Sequence, residues 1–178
     1  MDVWTGLILI LVALVAAGGS VAAIYIVLKQ YFERQEKEAA LALAEQKRKD
    51  HLPIQMQAYE RLILLLERIH PERLVFRASK PGMSARMLQS DIKKVIRDEF
   101  DHNLTQQLYI STEAWEAVKA AKEEVLNILN VAAEQVHRDA DGMEFSRAIL
   151  EVTANLNKLP NEVAVNILKA EFRKKLKQ

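Results

Sequence analysis

The stretch WTGLILILVALVAAGGSVAAIYIVL, residues 4–28, decides the architecture, because its 25 residues carry no charged side chain. A helix crosses a bilayer with about 20 predominantly apolar residues, so this one spans with room to tilt. The competing reading of an apolar N-terminus is a cleaved signal peptide, with a basic start, a short apolar core and a small-residue cleavage site. Here no Lys or Arg precedes the run, and the run is too long, although residues 16–23 imitate a cleavage site. Trp4 at one end and Tyr25 or Tyr31 at the other are placed as interfacial aromatic anchors.

Charge sets the expected orientation. All 25 Lys and Arg follow the span, as do all but one of the 24 Asp and Glu. Lys29, Arg34, Lys37, Lys47 and Arg48 lie within about 20 residues of its end, where the positive-inside rule counts them. Residues 29–178 are therefore expected in the cytoplasm and the N-terminus outside. The near balance of charge beyond the span, a surplus of two positive charges, argues against a nucleic-acid partner. With no cysteine, structural disulfides, thiolate metal sites and a Cys nucleophile are excluded.

Small residues fill the middle of the span: Ala13, Ala16, Ala17, Gly18, Gly19, Ser20, Ala22 and Ala23. Gly18 with Ala22, and Gly19 with Ala23, are pairs four apart that let two helices approach closely, a route to a homodimer. The plainer explanation is that small residues are common in membrane helices.

Downstream, KQYFERQEKEAALALAEQKRKD (29–50) has no Gly or Pro and consists mostly of strong helix formers. Glu33 and Lys37 are spaced as a favourable i, i+4 pair. The helix is expected to continue from the span for about 30 Å at about 1.5 Å per residue. Its one apolar cluster, 39–44, is too short for a heptad seam, so the segment reads as a stalk.

Pro53 predicts a break, with a new helix from there to about Ile69 whose apolar face is Tyr59, Leu62, Ile63, Leu65, Leu66 and Ile69. Residues 71–83 read as irregular, with Leu74, Val75 and Phe76 extended and a turn at Pro81 and Gly82. Ser84 is a good N-cap for a helix bearing Met87, Leu88, Ile92, Val95, Ile96 and Phe100. Residues 103–110 read as a connection, or as a short turn packing Leu104, Leu108 and Ile110 inward. Ser111 or Thr112 starts a long helix with Trp115, Val118, Val125, Ile128, Leu129 and Val136 on one side. Asp141 to Glu144 resembles a capping box before Phe145, Ile149, Val152 and Leu156. Pro160 suits the first position of a last helix carrying Val163, Ile167, Leu168 and Phe172.

The expected fold is thus all-α: a transmembrane anchor (1–28), a charged helical stalk (29–51) and a domain (52–178) of about five helices in an antiparallel bundle. Trp115 is expected to be a packing centre of that domain; an exposed Trp115 would instead mark a partner-binding face.

No catalytic constellation is visible. Only Gly82 and Gly142 follow residue 28, which excludes glycine-rich phosphate loops. His51, His70, His102 and His137 are isolated, without metal-ligand spacing. Asp98, Glu99, Asp101 and His102 form the densest ionisable cluster, read as a solvated helix face rather than an acid–base pair. Arg73, Arg77, Lys80 and Arg86 surround the irregular segment and suit phosphate head groups or an acidic partner, if they are more than solubilising charge. Lys169, Arg173, Lys174, Lys175 and Lys177 complement the dipole of the last helix. Asn103-Leu104-Thr105 matches a glycosylation acceptor, discounted because its expected side is cytoplasmic. No catalytic, cofactor-binding or metal residue is assigned, and no cofactor is expected.

LPIQMQAYERLILLLERIHPERLVFR (52–77) and DEFDHNLTQQLYISTEAWEAVKAAKEEV (98–125) resemble an uncharacterised family of bacterial single-pass membrane-anchored helical proteins. The resemblance implies a bacterial inner-membrane protein and carries no activity or site. Anchor and charged stalk are also similar in plan to the b subunit of the ATP synthase peripheral stalk. Pro53, Pro71, Pro81 and Pro160 depart from that single extended helix. The functional expectation is a membrane-anchored interaction or scaffold protein, not an enzyme, that recruits a protein partner. The alternative is an enzyme or small-ligand binder whose site is assembled only in the fold.

Overall fold

The structure is a computed structural model that describes residues 3–176. The side chains of Ala13, Ala16, Ala22 and Ala23, which belong to the small-residue pattern of the span, and Lys177 of the basic tail lie outside the described residues. Six α-helices and one 3-10 turn make up the described elements: α1 (Val3–Arg68), α2 (Pro71–Ala78), α3 (Ala85–His102), the 3-10 turn (Leu104–Leu108), α4 (Thr112–Glu134), α5 (Gly142–Ala154) and α6 (Pro160–Leu176). Among the described residues there is no strand, only an isolated antiparallel bridge between Ser84 and Asp141. The chain divides into two units, Met1–His51 and Leu52–Gln178.

The first unit is helical throughout its described residues, and none of them is buried. Leu7, Ile10, Leu14, Val21 and Ile24 are each more than half exposed, so their apolar surface meets no protein. α1 is one helix long and apolar enough to cross a membrane. In the stalk segment Glu33 pairs with Lys29 at 4.0 Å instead of with Lys37, and Glu45 pairs with Lys49 at 2.9 Å. Such exposed i, i+4 pairs add only tenths of a kcal/mol, about 0.3–0.5 each.

The expected break at Pro53 does not occur: the helical assignment runs unbroken from Val3 to Arg68. Proline inside a helix forfeits one backbone hydrogen bond and crowds the carbonyl four residues back. Good helix formers on both sides, and the buried residues from Ala58 onward, outweigh that loss.

The second unit is built on apolar stripes. Tyr59, Leu62, Leu65, Leu66 and Ile69 at the end of α1 join Leu88, Ile92, Ile96 and Phe100 of α3 and the inner face of α4 in one core. That face, Ala114, Trp115, Val118, Ala121, Val125, Ile128, Leu129 and Ala132, keeps helical spacing for five turns. α4 packs against α3, α5 and α6, and α5 also against α2 and α3. Trp115 is buried, its ring stacked on Phe100 with centroids 5.3 Å apart, and the Lys122 ammonium lies 4.4 Å over the Phe100 ring.

Three N-caps follow from a local hydrogen bond. Ser84 Oγ accepts from the Met87 amide at 3.3 Å, Ser111 Oγ from Ala114 at 3.1 Å, and Asp141 Oδ1 from Glu144 at 2.8 Å. Two of these caps are then stitched together: Gly142 N–H donates to Met83 O at 2.7 Å and Ala85 N–H to Ala140 O at 2.9 Å. Gly142 suits this crossing, because a Cβ there would stand 3.2 Å from Met83 O, a tight contact with backbone. Gly82, at φ +79°, turns the chain into it.

Several expectations are corrected. Leu74, Val75 and Phe76 are helical, not extended. Pro71 supplies the first helical position of α2, and Leu74 and Val75 bury its inner face while Phe76 points out. Leu108 and Leu104 of the 3-10 turn are exposed, and Gln106 is buried in their place. In α3 the small Ala85 is buried and Met87 is exposed. In α6 the buried stripe is Asn161, Ala164, Val165 and Leu168, while Val163 and Ile167 lie outside it. Small residues win these positions because a helix approaches its neighbour most closely where the side chains are short.

Candidate functional site

A cleft of the second unit has a volume of about 750 Å³ and lies between two stripes of identical spacing. One is Arg61, Leu64, Leu65 and Arg68 at the end of α1; the other is Val95, Asp98, Glu99 and His102 on α3. Both follow i, i+3, i+4, i+7, so each puts its four side chains on one helix face. Arg77 of α2 and Asn103 close the outline. Leu65 is buried and joins the floor to the core, whereas Leu64 remains 50% exposed within the cleft wall.

The charges are partly spent. Arg68 Nη1 lies 3.3 Å from both carboxylate oxygens of Glu99. Asp98 is engaged by Lys94 at 3.5 Å. Arg77 Nη2 donates to the backbone carbonyl of Arg68 at 3.3 Å, where the C-terminal end of α1 offers unpaired carbonyls. Arg61 and Arg77 have no carboxylate partner among the described residues. His102 Nδ1 donates to the Asp98 carbonyl at 2.5 Å, which fixes the tautomer and leaves Nε2 as an acceptor. Asn103 Nδ2 donates to the Glu99 carbonyl at 2.8 Å and so closes the end of α3. The Asn103-Leu104-Thr105 pattern therefore has a structural use for its asparagine.

The cleft gathers part of each cluster singled out in the sequence. Asp98, Glu99 and His102 line it, and Asp101 does not. Of the basic group only Arg77 lines it. Arg73 pairs with Glu67 at 3.0 Å, Lys80 lines a separate hollow beside the Ser84–Asp141 bridge, and Arg86 is exposed on the first turn of α3. Arg61, Leu64 and Arg68 were not singled out. The available signal was their own i, i+3, i+7 register, with Leu64 standing off the apolar face of its helix. In chemical terms the cleft holds cations for carboxylates and one apolar contact. No hydrogen bond joins His102 to either neighbouring carboxylate, and among the described residues no three of His, Asp and Glu are grouped to hold a metal.

A second polar centre, at Glu171, is internal. Its carboxylate accepts from Ser111 Oγ at 2.5 Å, from the Ser111 amide at 3.1 Å and from the Tyr59 hydroxyl. Burial alone would raise the pKa of this group. The hydrogen bonds of Ser111 and Tyr59, with the Lys175 ammonium 3.6 Å away, outweigh it and hold the carboxyl below its usual range. Tyr59 is pushed upward, first by burial and then by its bond to the Glu171 carboxylate. This knot ties the end of α1, the N-cap of α4 and α6 together. Nearby, Asn161 Nδ2 donates to Leu66 O at 2.6 Å, satisfying a carbonyl in the last turn of α1.

Residues 5–175 match the model of DUF7935, a family of unknown function, and the chain belongs to that family. No curated protein and no solved structure matches it.

Proposed function

We propose that this member of the DUF7935 family is a membrane-anchored interaction protein without catalytic activity, whose helical domain recruits a protein partner at the cleft between α1 and α3. The observation that carries the reading is the cleft's composition. Two arginines without carboxylate partners flank a half-exposed leucine, while the acids and the imidazole are held by neighbours. Interfaces favour arginine and buried apolar anchors in this way. On this reading residues 4–28 span the bacterial inner membrane once, residues 29–51 form the stalk, and residues 52–178 form a helical bundle in the cytoplasm. Support for the orientation is the Lys/Arg excess after the span. The small-residue pairs of the span support a homodimer.

The test is affinity capture from detergent-solubilised membranes with the full chain and with Arg61→Glu/Arg77→Glu. A co-purifying protein at constant stoichiometry, lost in the double variant, is expected. Equal recovery of the same proteins by both chains would remove the cleft from the function. A reporter fused after Gln178 is expected to be active only as a cytoplasmic fusion. The other reading, an enzyme or small-ligand binder, is favoured by one group: the His102 Nε2 acceptor facing the same cleft. It predicts that His102→Gln alone abolishes function while partner capture persists.

A further inference from the structure

The cleft also constrains what the partner must bring, and this step rests on the interaction reading above. Three guanidinium groups line it against two carboxylates, and both carboxylates are already engaged, Glu99 by Arg68 and Asp98 by Lys94. Arg61 and Arg77 are exposed and hold fixed positions on two different helices. A planar guanidinium pairs best with a carboxylate, through two parallel hydrogen bonds. Between them Leu64 offers half its surface to an apolar contact. Beside Arg77 in the chain, Phe76 is 79% exposed, and Arg73, Phe76, Arg77 and Lys80 follow i, i+3, i+4, i+7 along α2 and its end.

We infer that the cleft receives an acidic helical segment of a partner protein, whose carboxylates pair with Arg61 and Arg77 and whose apolar side chain covers Leu64. Alternative occupants fit less well. A bilayer surface is flat and leaves a recess of about 750 Å³ unfilled. A small anion satisfies the arginines but leaves Leu64 in water. A helix with carboxylates one turn apart around a leucine-like residue satisfies all three groups at once.

The experiment is site-specific photocrosslinking of the full chain in its native membrane, with a benzophenone amino acid in place of Leu64, of Phe76, or of Met143 outside the cleft, and the adducts mapped by peptide mass spectrometry. The expected result is a protein adduct at position 64 whose crosslinked residue has Asp or Glu within one helical turn. Its yield should fall about tenfold with Arg61→Ala/Arg77→Ala. If that variant melts early, raising salt to about 0.5 M should lower the parent's yield instead, since exposed pairs are then strongly screened. A lipid adduct, an adduct indifferent to both arginines and salt, a crosslinked segment without carboxylates, or no adduct at position 64 overturns the inference. A protein adduct at position 64 whose segment lacks carboxylates would sink it yet leave the interaction reading standing; protein adducts at position 143 alone, or at none of the three positions, sink both.

Discussion

Leu14 and Leu66 are both leucines within α1, and their surroundings differ. Leu14 is 66% exposed, and its apolar neighbours in the first unit are exposed too; Leu66 is fully buried among protein side chains. One helix thus carries two kinds of apolar surface. In the first unit residues 4–28 carry no charged side chain anywhere around the helix, so no charged face is set apart. In the second, the buried apolar residues of α1 form one stripe, and Arg61 and Arg68 are exposed beside it. A uniform cylinder calls for lipid, while a striped one calls for neighbouring helices.

The sharpest way to break this contrast is to charge the first unit. Leu11→Lys with Val15→Lys should cost about 2.5–3.5 kcal/mol per residue for insertion near the helix centre. The chain should then pass from the membrane pellet to the alkaline-carbonate supernatant. Residues 52–178 alone should remain helical by circular dichroism and melt cooperatively, because their stripes bury one another without lipid; a molten fragment would mean that the first unit completes the core.

Within the second unit the largest single loss should come from Trp115→Ala. Its ring is buried and stacked on Phe100, so truncation should cost about 3–5 kcal/mol in urea unfolding. The same change has no counterpart at Trp4, which is 77% exposed and should leave that melt unchanged.

Next in size is Glu171→Gln, which should cost about 1.5–3 kcal/mol near neutral pH, the range for hydrogen bonds to a charged group. The folded carboxyl titrates below its unfolded value. Its contribution is therefore complete above the unfolded value and is lost as pH falls through the folded one. The parent should weaken across that acidic window, and the variant should show a flatter urea midpoint there. For Tyr59 the sign reverses: its raised value makes stability decline as pH climbs past about 10, where the unfolded phenol ionises first. The smallest effect belongs to Gly82→Ala, about 1–2 kcal/mol for a left-handed backbone, with open space around the added methyl. Gly142→Ala differs in kind, since its methyl meets Met83 O and should loosen the bridge between the α3 and α5 caps.

Several elements needed only local information. The span, the three capped helix starts at Ser84, Ser111 and Asp141, the proline start of α6 and the core position of Trp115 all follow from periodicity and capping chemistry within a few residues. α2 was missed because eight residues hold barely two turns, too few for a period to stand out, and Phe76 at their centre is an apolar residue facing out. Pro53 was misread because proline's local preference for a first turn was outweighed by helix on both sides.

The sequence alone determined that the chain is all-α and that it carries one stretch apolar enough for a membrane. The tertiary structure alone decided which charges meet. Arg68 and Glu99 lie 31 positions apart, and Tyr59, Ser111 and Glu171 come from α1, the N-cap of α4 and α6. A helix repeats every 3.6 residues, so a sequence reveals which side chains share a face. Which face opposes which is set by packing between helices, and that depends on side-chain volumes such as Ala121 and Ala164 distributed over the whole domain.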